Sequence, residues 1–486
     1  MSFPVFPIYT STNFHKFIHA KLPTTMTVDK SHVGHVVVLP YPSQGHINPL
    51  LQFAKRLVSK GLKATIATTH YTLSSITDAS VTVEPISDGF DDHGFAQAQS
   101  EELFLESFKS NGSRTLTQLI EKHQTTKDPI TCVVYDSFLP WALEVAKENG
   151  ILGGPFFTNS AAVTAIFSRI HDGTLRLPLG TEDGLVVIPG VPSLDSEDLP
   201  SFLNAPASYP AYLKMKLNQF SNLKKADWIF SNTFESLESE VVKSVSDQWP
   251  AKLIGPMVPS AYLDGRIEGD KGYGASLWKP LDNGCGRWLE TKPPNSVVYV
   301  SFGSMVSLTQ QEMEELAWGL QESGFYYIWV VRDIERHKLP KGFLDLTTQN
   351  QEKGMVVNWC NQLEMLAYES VGCFVTHCGW NSTLEGLSLG VPMVGIPKWA
   401  DQWTDAKFIA DVWCVGVRAK VDRGTGIVKR EEVVLCLNEV MNEGEKGLEI
   451  KKNARKWKEL AKEAISEGGS SDKAIEEFVL SLKNMP

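Results

Sequence analysis

The chain has 486 residues, of which 42% are hydrophobic and 21% charged. This composition is typical of a globular protein that is too long for one core, so two domains are expected. A net charge of −11 makes nucleic acid and anionic membranes poor partners. No apolar run reaches the roughly 18 residues of a membrane span. Seven cysteines without a CxxC pair favour a reduced cytoplasmic protein over a disulfide framework or a zinc site.

Residues 1–30 differ from the rest of the chain. They contain no carboxylate before Asp29, are rich in Ser, Thr, Phe and Pro, and lack the long apolar stretch of a secretory signal. An organelle transit peptide is one alternative. We favour a disordered extension, or translation that begins at Met26.

From His35 onward, strand patterns alternate with helix patterns. The predicted strands are His35–Pro40, Lys63–Thr69, Val81–Ile86, Ile130–Asp136, Gly154–Thr158 and Trp228–Asn232, and the predicted helices are Leu50–Ser59, Pro140–Asn149, Ala161–Ile170 and Phe234–Ser246. Such alternation predicts a parallel sheet with helices on both faces. The Gly- and Pro-containing run Ile254–Asp270 is interpreted as an interdomain linker.

The alternation then begins again. The predicted strands are Ser296–Ser301, Phe325–Val331, Met355–Trp359, Val371–Thr376 and Val391–Ile396, and the predicted helices are Gln310–Glu322, Trp380–Leu389, Arg430–Asn442, Lys446–Ser466 and Ser470–Leu482. Two similar α/β halves with a cleft between them are therefore expected.

A candidate phosphate site lies where the strand Val371–Thr376 gives way to the helix Trp380–Leu389. The start of a helix offers unpaired backbone N–H groups and a partial positive charge, which suit a phosphate. His377, Asn381 and Ser382 add side-chain donors at the same point. The alternative is that Asn381 and Ser382 merely cap the helix.

Other polar residues extend this candidate site. Glu385, one turn further along the helix, is suited to accept hydrogen bonds from ribose hydroxyls. Trp359 ends the preceding strand and is suited to stack on a base, although it could also be core. Asp401 and Gln402 follow the next strand and are suited to bind sugar hydroxyls. These residues follow one another along three adjacent strand ends, which favours a ligand site over a set of unrelated structural residues.

Two enzyme classes are disfavoured by their motifs. Gly386–Gly390 matches the hydrolase pattern GxSxG, but that motif needs a strand before the serine and a helix after it, and here the order is reversed. No GxGxxG follows the first strand, which argues against a nicotinamide-dependent dehydrogenase.

The first half carries a candidate general base. His46 follows the opening strand, and Asp136 ends the strand Ile130–Asp136 on the same edge of the sheet. A histidine beside a carboxylate has its tautomer fixed and is suited to accept a proton. Taken alone, a loop histidine such as His46 is more often structural than catalytic, and its pairing with Asp136 on one sheet edge makes the two interpretations about equal.

Together these segments resemble a known family. The stretch of 44 residues from Trp359 to Gln402 is similar, nearly residue for residue, to the signature box of plant UDP-glycosyltransferases of secondary metabolism. PYPSQGHINPLLQFAKRL, VVYDSFLPWALEVAK, SVVYVSFGS and EGGSSDKAIEEFV also resemble this family, so the likeness runs from about His35 to the end of the chain.

The resemblance implies a GT-B fold, in which two Rossmann-like α/β domains face a cleft. The expected division is a disordered extension (1–30), an acceptor-binding domain (31–255), a linker (256–285), a UDP-sugar-binding domain (286–467) and a last helix (468–486) that crosses back to the first domain. It also implies roles for individual residues. His46 would be the catalytic base and Asp136 its orienting carboxylate; the nucleoside would contact Trp359, Cys360 and Gln362, the ribose Glu385, the diphosphate Ser304, His377, Asn381 and Ser382, and the sugar Thr158, Trp380, Asp401 and Gln402.

The implied reaction is displacement at the anomeric carbon with inversion. UDP-sugar would be a co-substrate and no cofactor is expected; no strand ends in a DxD motif, so no metal is expected either. The last residue of the box, Gln402, resembles that of family members that use UDP-glucose. Segments such as ISDGFDDHGF and PSAYLDGR resemble the branch that glucosylates small carboxylic acids, phenolics and terpenoids. The enzyme is expected to be a cytoplasmic monomer.

Aromatic residues of the first half are candidates for the acceptor pocket, with ordinary core packing as the alternative for each. They are Phe90, Phe138, Trp141, Phe156 and Phe157. The box departs from its usual pattern at Asn361, where Pro is common, and at Tyr368, where His is common; small effects on packing are expected. A non-catalytic nucleotide-sugar sensor is the main competing hypothesis, and the presence of both His46 and Asp136 argues against it.

Overall fold

The computed structural model describes residues 34–177, 185–204, 206–247, 249–277, 284–349 and 353–485. The predicted extension at residues 1–30 lies outside these ranges. Among the described helices, none is long and apolar enough to cross a membrane.

The first half of the described chain is built on a parallel sheet. Its strands are β1 (His35–Leu39), β2 (Lys63–Thr69), β3 (Thr82–Ile86), β4 (Cys132–Asp136), β5 (Leu152–Phe157), β6 (Phe230–Ser231) and β7 (Lys252–Leu253), in the order β3-β2-β1-β4-β5-β6-β7. Its helices are α1 (Gln44–Ser59), α2 (His70–Leu73), α3 (Glu101–Gln124), α4 (Trp141–Glu148), α5 (Ala161–His171), α6 (Ser201–Asn204), α7 (Pro210–Asn218) and α8 (Glu235–Val245).

A second parallel sheet forms the other half. Its strands are β8 (Val297–Ser301), β9 (Tyr326–Val330), β10 (Gly354–Val357), β11 (Val371–Thr376), β12 (Met393–Gly395) and β13 (Gly416–Arg418), in the order β10-β9-β8-β11-β12-β13. Its helices are α9 (Cys285–Glu290), α10 (Gln310–Glu322), α11 (Phe343–Gln349), α12 (Gln362–Leu366), α13 (Trp380–Leu389), α14 (Gln402–Lys407), α15 (Arg430–Met441), α16 (Glu445–Ile465) and α17 (Ser470–Lys483).

The central strand β1 shows why each sheet is covered on both faces. Successive side chains of a strand point to opposite faces. Val36 and Val38 accordingly pack into one hydrophobic core, and Val37 and Leu39 pack into another. A strand buried on both faces reads as an uninterrupted apolar run, as HVVVL does. The predicted α/β class with two Rossmann-like sheets of GT-B type is confirmed.

Each sheet has a point where the strand order reverses, between β1 and β4 in the first and between β8 and β11 in the second. Loops leaving adjacent strands at such a point diverge to opposite faces and open a crevice at the carboxyl ends of the strands. The chain places its candidate base after β1 and β4, and its candidate phosphate site after β8 and β11. Topology therefore brings each group of polar residues together.

The predicted start of the first helix was wrong. The helix was predicted to begin at Leu50, but α1 begins at Gln44 and contains Pro49. The helix α3 was missed entirely, although Ser100 caps it by accepting from Leu103 N–H at 3.2 Å and Phe104 and Phe108 lie buried on one face.

The final helix α17 packs against the first sheet. The Phe478 ring is fully buried and lies 5.0 Å from that of Phe230 and 6.3 Å from that of Phe53, measured between ring centroids. Between the two sheets, the Gly- and Pro-containing run is held to α1 by ion pairs. Lys55 Nζ lies 3.0 Å from Asp270 Oδ1, and both side chains are almost completely buried.

Candidate active site

His46 and Asp136 meet at the reversal point of the first sheet. His46 Nδ1 lies 2.6 Å from Asp136 Oδ2, and the Asp136 side chain is fully buried while that of His46 is 19% exposed. The other carboxylate oxygen of Asp136 accepts a hydrogen bond from Phe138 N–H at 3.0 Å, which fixes the carboxylate. With Nδ1–H donating to Asp136, Nε2 carries the lone pair and is the atom that can accept a proton.

Thr158, at the end of β5, belongs to the same cluster. Its Oγ1 lies 3.1 Å from His46 Nδ1. The sequence-based prediction assigned this residue to the sugar; in the structure its hydroxyl contacts the imidazole, and the sugar contact stays a prediction.

Aromatic rings enclose the imidazole. The Phe138 ring centroid lies 4.8 Å and the Tyr41 centroid 5.4 Å from that of His46. Of the predicted acceptor-pocket residues, Phe138 therefore lies beside His46. Phe156 and Phe157 are fully buried and belong to the core, as their alternative interpretation held.

Two further aromatic candidates pack on α3, the helix that sequence reasoning missed. The Trp141 ring lies 5.5 Å from Phe108, and the half-buried Phe90 ring stacks on Phe104 at 5.9 Å. The Phe104 ring in turn lies 6.3 Å from that of Tyr41, so α3 supports the aromatic surroundings of His46.

In the second half, the helix α13 begins without a side-chain cap. Its N-cap is Gly379, and no side chain caps it. The backbone N–H groups of the first turn therefore have no partner within the helix. Asn381 and Ser382 do not cap the helix. The side chain of Asn381 donates to the Gly45 carbonyl, and that of Ser382 accepts from Gln362.

His377 lies between two glycines. A Cβ on Gly303 would approach His377 Cε1 to 2.8 Å, and one on Gly379 would approach His377 Nε2 to 2.6 Å. Gly303 also has φ of +68°, a conformation that favours glycine. Burial lowers the pKa of His377 to about 4, so the ring is neutral at pH 7 and can donate one hydrogen bond without carrying charge.

Glu385 is the centre of a buried hydrogen-bond group. Gln362 Nε2 donates to Glu385 Oε2 at 2.6 Å and also to Ser382 Oγ at 2.9 Å, while Tyr273 OH donates to Glu385 Oε1 at 2.9 Å. Burial raises the pKa of Glu385 to about 7. Tyr273 was missed by sequence reasoning, since it lies in the irregular run between the sheets, where periodicity carries no signal.

Asn381 joins the two halves. Its Nδ2 donates to the carbonyl of Gly45 at 2.6 Å. In a regular helix that carbonyl would accept from the N–H of residue 49, but Pro49 has none. Pro49 therefore leaves the Gly45 carbonyl without its helical partner, and Asn381 donates to it instead.

The two tryptophans predicted for the donor site, Trp359 and Trp380, differ in their environments. Trp380 is 4% exposed, and its Nε1 donates to the carbonyl of Asn232 at 2.8 Å, across from the second half to the first. Trp359 is half-buried and lies two residues after β10, which ends at Val357 rather than at Trp359 as predicted. The adjacent Cys360 is buried, with its Sγ 3.4 Å from Tyr299 OH.

The predicted sugar residues follow β12. Gln402 is buried, and its Oε1 accepts from the backbone N–H groups of Lys398 and Trp399, each at 2.9 Å. This orients the amide NH2 away from the turn. Asp401 is half-buried at the N-cap of α14, and its charge adds to burial in raising the pKa of Asp405.

Three predicted positions remain. Ser304 lies half-buried in the loop after β8, and its carbonyl accepts from Arg332. Asn361 is the N-cap of α12 but forms no side-chain cap, and Tyr368 packs against Gly286 in α9. Among the residues that the structure describes, no group of three or more His, Cys, Asp or Glu side chains is placed to hold a metal ion.

Comparison with known proteins identifies the family. A family model described as UDP-glucoronosyl and UDP-glucosyl transferase matches residues 212–463. UDP-glycosyltransferase 74B1 of Arabidopsis thaliana is 53% identical over 457 residues, which cover 92% of this chain and 98% of that protein. The chain belongs to the plant UDP-glycosyltransferase family. It is therefore an enzyme, and its co-substrate is a UDP-sugar.

Further relatives of this UDP-glycosyltransferase agree. The flavonol 7-O-beta-glucosyltransferase UGT74F1 of A. thaliana is 47% identical over 452 residues, covering 92% of this chain and 98% of that protein. Among solved structures, Os79 from O. sativa in complex with UDP superposes with a TM-score of 0.86 at 39% identity, covering 92% of this chain and all of Os79.

Proposed function

We propose that this UDP-glycosyltransferase transfers glucose from UDP-glucose, with inversion, to a hydroxyl or carboxyl group of a small lipophilic metabolite such as a phenolic, an aromatic acid, a hormone or a terpenoid. The observation that carries the proposal is the 2.6 Å contact between His46 Nδ1 and the buried carboxylate of Asp136. It leaves His46 Nε2 available as a general base.

The proposed reaction begins with removal of the acceptor's proton. His46 takes the proton from an acceptor hydroxyl, and the Asp136 carboxylate stabilises the imidazolium that results. The acceptor oxygen bonds to C1 of glucose on the face opposite the leaving group while the C1–O bond to the diphosphate breaks. UDP leaves with that electron pair.

The second half holds the donor in this proposal. The open first turn of α13, with His377, Asn381, Ser382 and Ser304, binds the diphosphate and stabilises the charge that develops as it leaves. Trp359, Cys360 and Gln362 contact the nucleoside, and Glu385 accepts from the ribose hydroxyls. Trp380, Asp401 and Gln402 contact the sugar, and Thr158 reaches it from the first half.

Glucose is supported by two observations. The signature box ends in Gln402, and a relative that is 47% identical is named as a beta-glucosyltransferase. A β-linked product from α-linked UDP-glucose also agrees with inversion. We further propose domain boundaries near residues 255 and 286, the last helix returning to the first domain, a monomeric state and a cytoplasmic location.

The test is a donor and acceptor panel. Purified protein is incubated with UDP-glucose or UDP-galactose and with phenols, aromatic acids and terpenoid alcohols, and UDP release and product mass are followed. The expected result is UDP release with UDP-glucose, abolished for hydroxyl acceptors by His46→Ala and unaffected by the control His337→Ala, an exposed histidine of the second half. Full transfer to a phenol by His46→Ala would overturn the assignment of the base.

A further inference from the structure

One charged side chain near the base has no role in the reaction described above. Lys216 lies on α7 and is only 7% exposed, which is unusual because lysine side chains normally keep their ammonium in water. Within the described part of the chain, its ammonium forms no hydrogen bond and no ion pair. An unpaired buried cation is costly, so its presence calls for an explanation.

The ammonium is close to the reacting groups. Lys216 Nζ lies 4.5 Å from the ring centroid of Phe138, which itself lies 4.8 Å from that of His46. Together these distances place the ammonium within about 9 Å of the imidazole. The helix α7 is also hydrogen-bonded to the segment that follows β4, because Ser137 Oγ donates to Gln219 Oε1 at 3.0 Å and Gln219 directly follows α7.

Two of the carboxylates whose charges act on Lys216, Asp136 and Asp405, form hydrogen bonds to other groups, and neither forms an ion pair with its ammonium. Burial lowers the pKa of Lys216, and the charges of Asp401, Asp136 and Asp405 act in the opposite direction. Asp136 is bonded to His46 and to a backbone N–H, and Asp405 accepts from Ser160 Oγ at 2.8 Å with its pKa raised well above the usual value by burial. The faces of Phe138 and Phe167 compensate the charge only in part.

We propose that Lys216 binds the carboxylate of an acidic acceptor, so that the substrate class of this enzyme is small carboxylic acids rather than neutral alcohols. The inference rests on the proposed glucosyl transfer and narrows it. A carboxylate oxygen then bonds to C1 of glucose while the bond from C1 to the diphosphate breaks, UDP takes the electron pair, and the product is a glucose ester. No proton has to leave the acceptor, because a carboxylic acid is already ionised at pH 7.

The test compares two acceptors of similar shape, cinnamic acid and cinnamyl alcohol, with wild-type protein and Lys216→Met. The wild type is expected to favour the acid in kcat/KM, and the acid-to-alcohol ratio is expected to fall by about tenfold to a hundredfold in the variant, mainly through KM of the acid, the loss typical of a hydrogen bond to a charged group. Lys216→Arg keeps the charge and should restore part of the ratio. Lys214→Met, an exposed lysine on the same helix, is the control and should match the wild type.

UDP affinity, measured by calorimetry, separates the alternatives. It should be equal in all four proteins; a weaker affinity in Lys216→Met would place the ammonium at the donor and overturn the inference. An unchanged acid-to-alcohol ratio would overturn it as well. If the methionine variant does not fold, Lys216→Gln is compared in the same way. Absence of UDP release by the wild type with every acceptor would instead refute the proposed function, and the inference with it.

Discussion

Replacing Asp136 by Asn tests the catalytic pair with the least structural disturbance. The two side chains have nearly the same shape, and Asp136 is fully buried, so the variant removes the negative charge beside His46 and little else. An amide can still hydrogen-bond to the ring, but it cannot stabilise an imidazolium by charge. Transfer to an acceptor that must lose a proton should therefore slow down.

The size of the effect follows from the geometry. The contact of 2.6 Å between His46 Nδ1 and Asp136 Oδ2 puts the two charge centres roughly 4 Å apart, where two unit charges interact by about 4 kcal/mol at an effective dielectric constant near 20. That energy corresponds to a rate factor of about 10³. Because the proton is only partly transferred in the transition state, a loss of about 10² to 10³ in kcat is expected for a phenol.

The assay is UDP release at saturating UDP-glucose with a phenol and, in parallel, a carboxylic acid. The acid is already ionised, so Asp136→Asn should slow its transfer by no more than about tenfold. Asp92→Asn, an exposed aspartate of the same half, is the control and should behave as wild type. A phenol rate within threefold of wild type would refute the reasoning that Asp136 stabilises the imidazolium.

Three further predictions concern stability. Gly303→Ala should lower the free energy of unfolding in urea by at least about 1 kcal/mol more than Gly265→Ala does. Both glycines have a positive φ (68° and 65°), but only at Gly303 would the added Cβ lie against a histidine ring. Equal decreases in the two variants would contradict this prediction. Burial raises the pKa of Glu385 from 4.5 to about 7, so between these pH values the folded protein keeps a proton that the unfolded chain has lost, and the free energy of unfolding should fall as pH rises. Glu385→Gln should remove up to about 3 kcal/mol of that fall. An unchanged pH profile of unfolding in the variant would contradict the raised pKa of Glu385. Phe478→Ala should cost about 3 to 5 kcal/mol by thermal melting, against under 1 kcal/mol for the exposed Leu480→Ala, and similar costs would mean that α17 is not docked as described.

The main strands could be predicted because they are buried on both faces. Runs such as HVVVL in β1 and VGCFVT in β11 are typical of strands buried on both faces, and their order along the chain decides which polar residues reach the two reversal points. The meeting of His46 with Asp136 follows from that topology alone.

Contacts made by irregular segments could not be predicted. Tyr273 reaches Glu385 from a run without periodicity, and Asn381 donates to the Gly45 carbonyl, whose helical partner is missing because residue 49 is proline. Lys216 reads as one of several polar residues on a short helix, and only its burial in the folded protein makes it notable. These features depend on how the halves pack, which no local pattern encodes.

The central claim is that the site performs an inverting displacement on a sugar held by the second half, with His46 in the first half as the base for any acceptor that must lose a proton. It is tested most directly by the anomeric configuration of the product, read by NMR after reaction of UDP-glucose with a phenol. The account predicts a β-glucoside from the wild type and no glucoside from His46→Ala. An α-linked product, or a β-glucoside formed at the wild-type rate without His46, would contradict it.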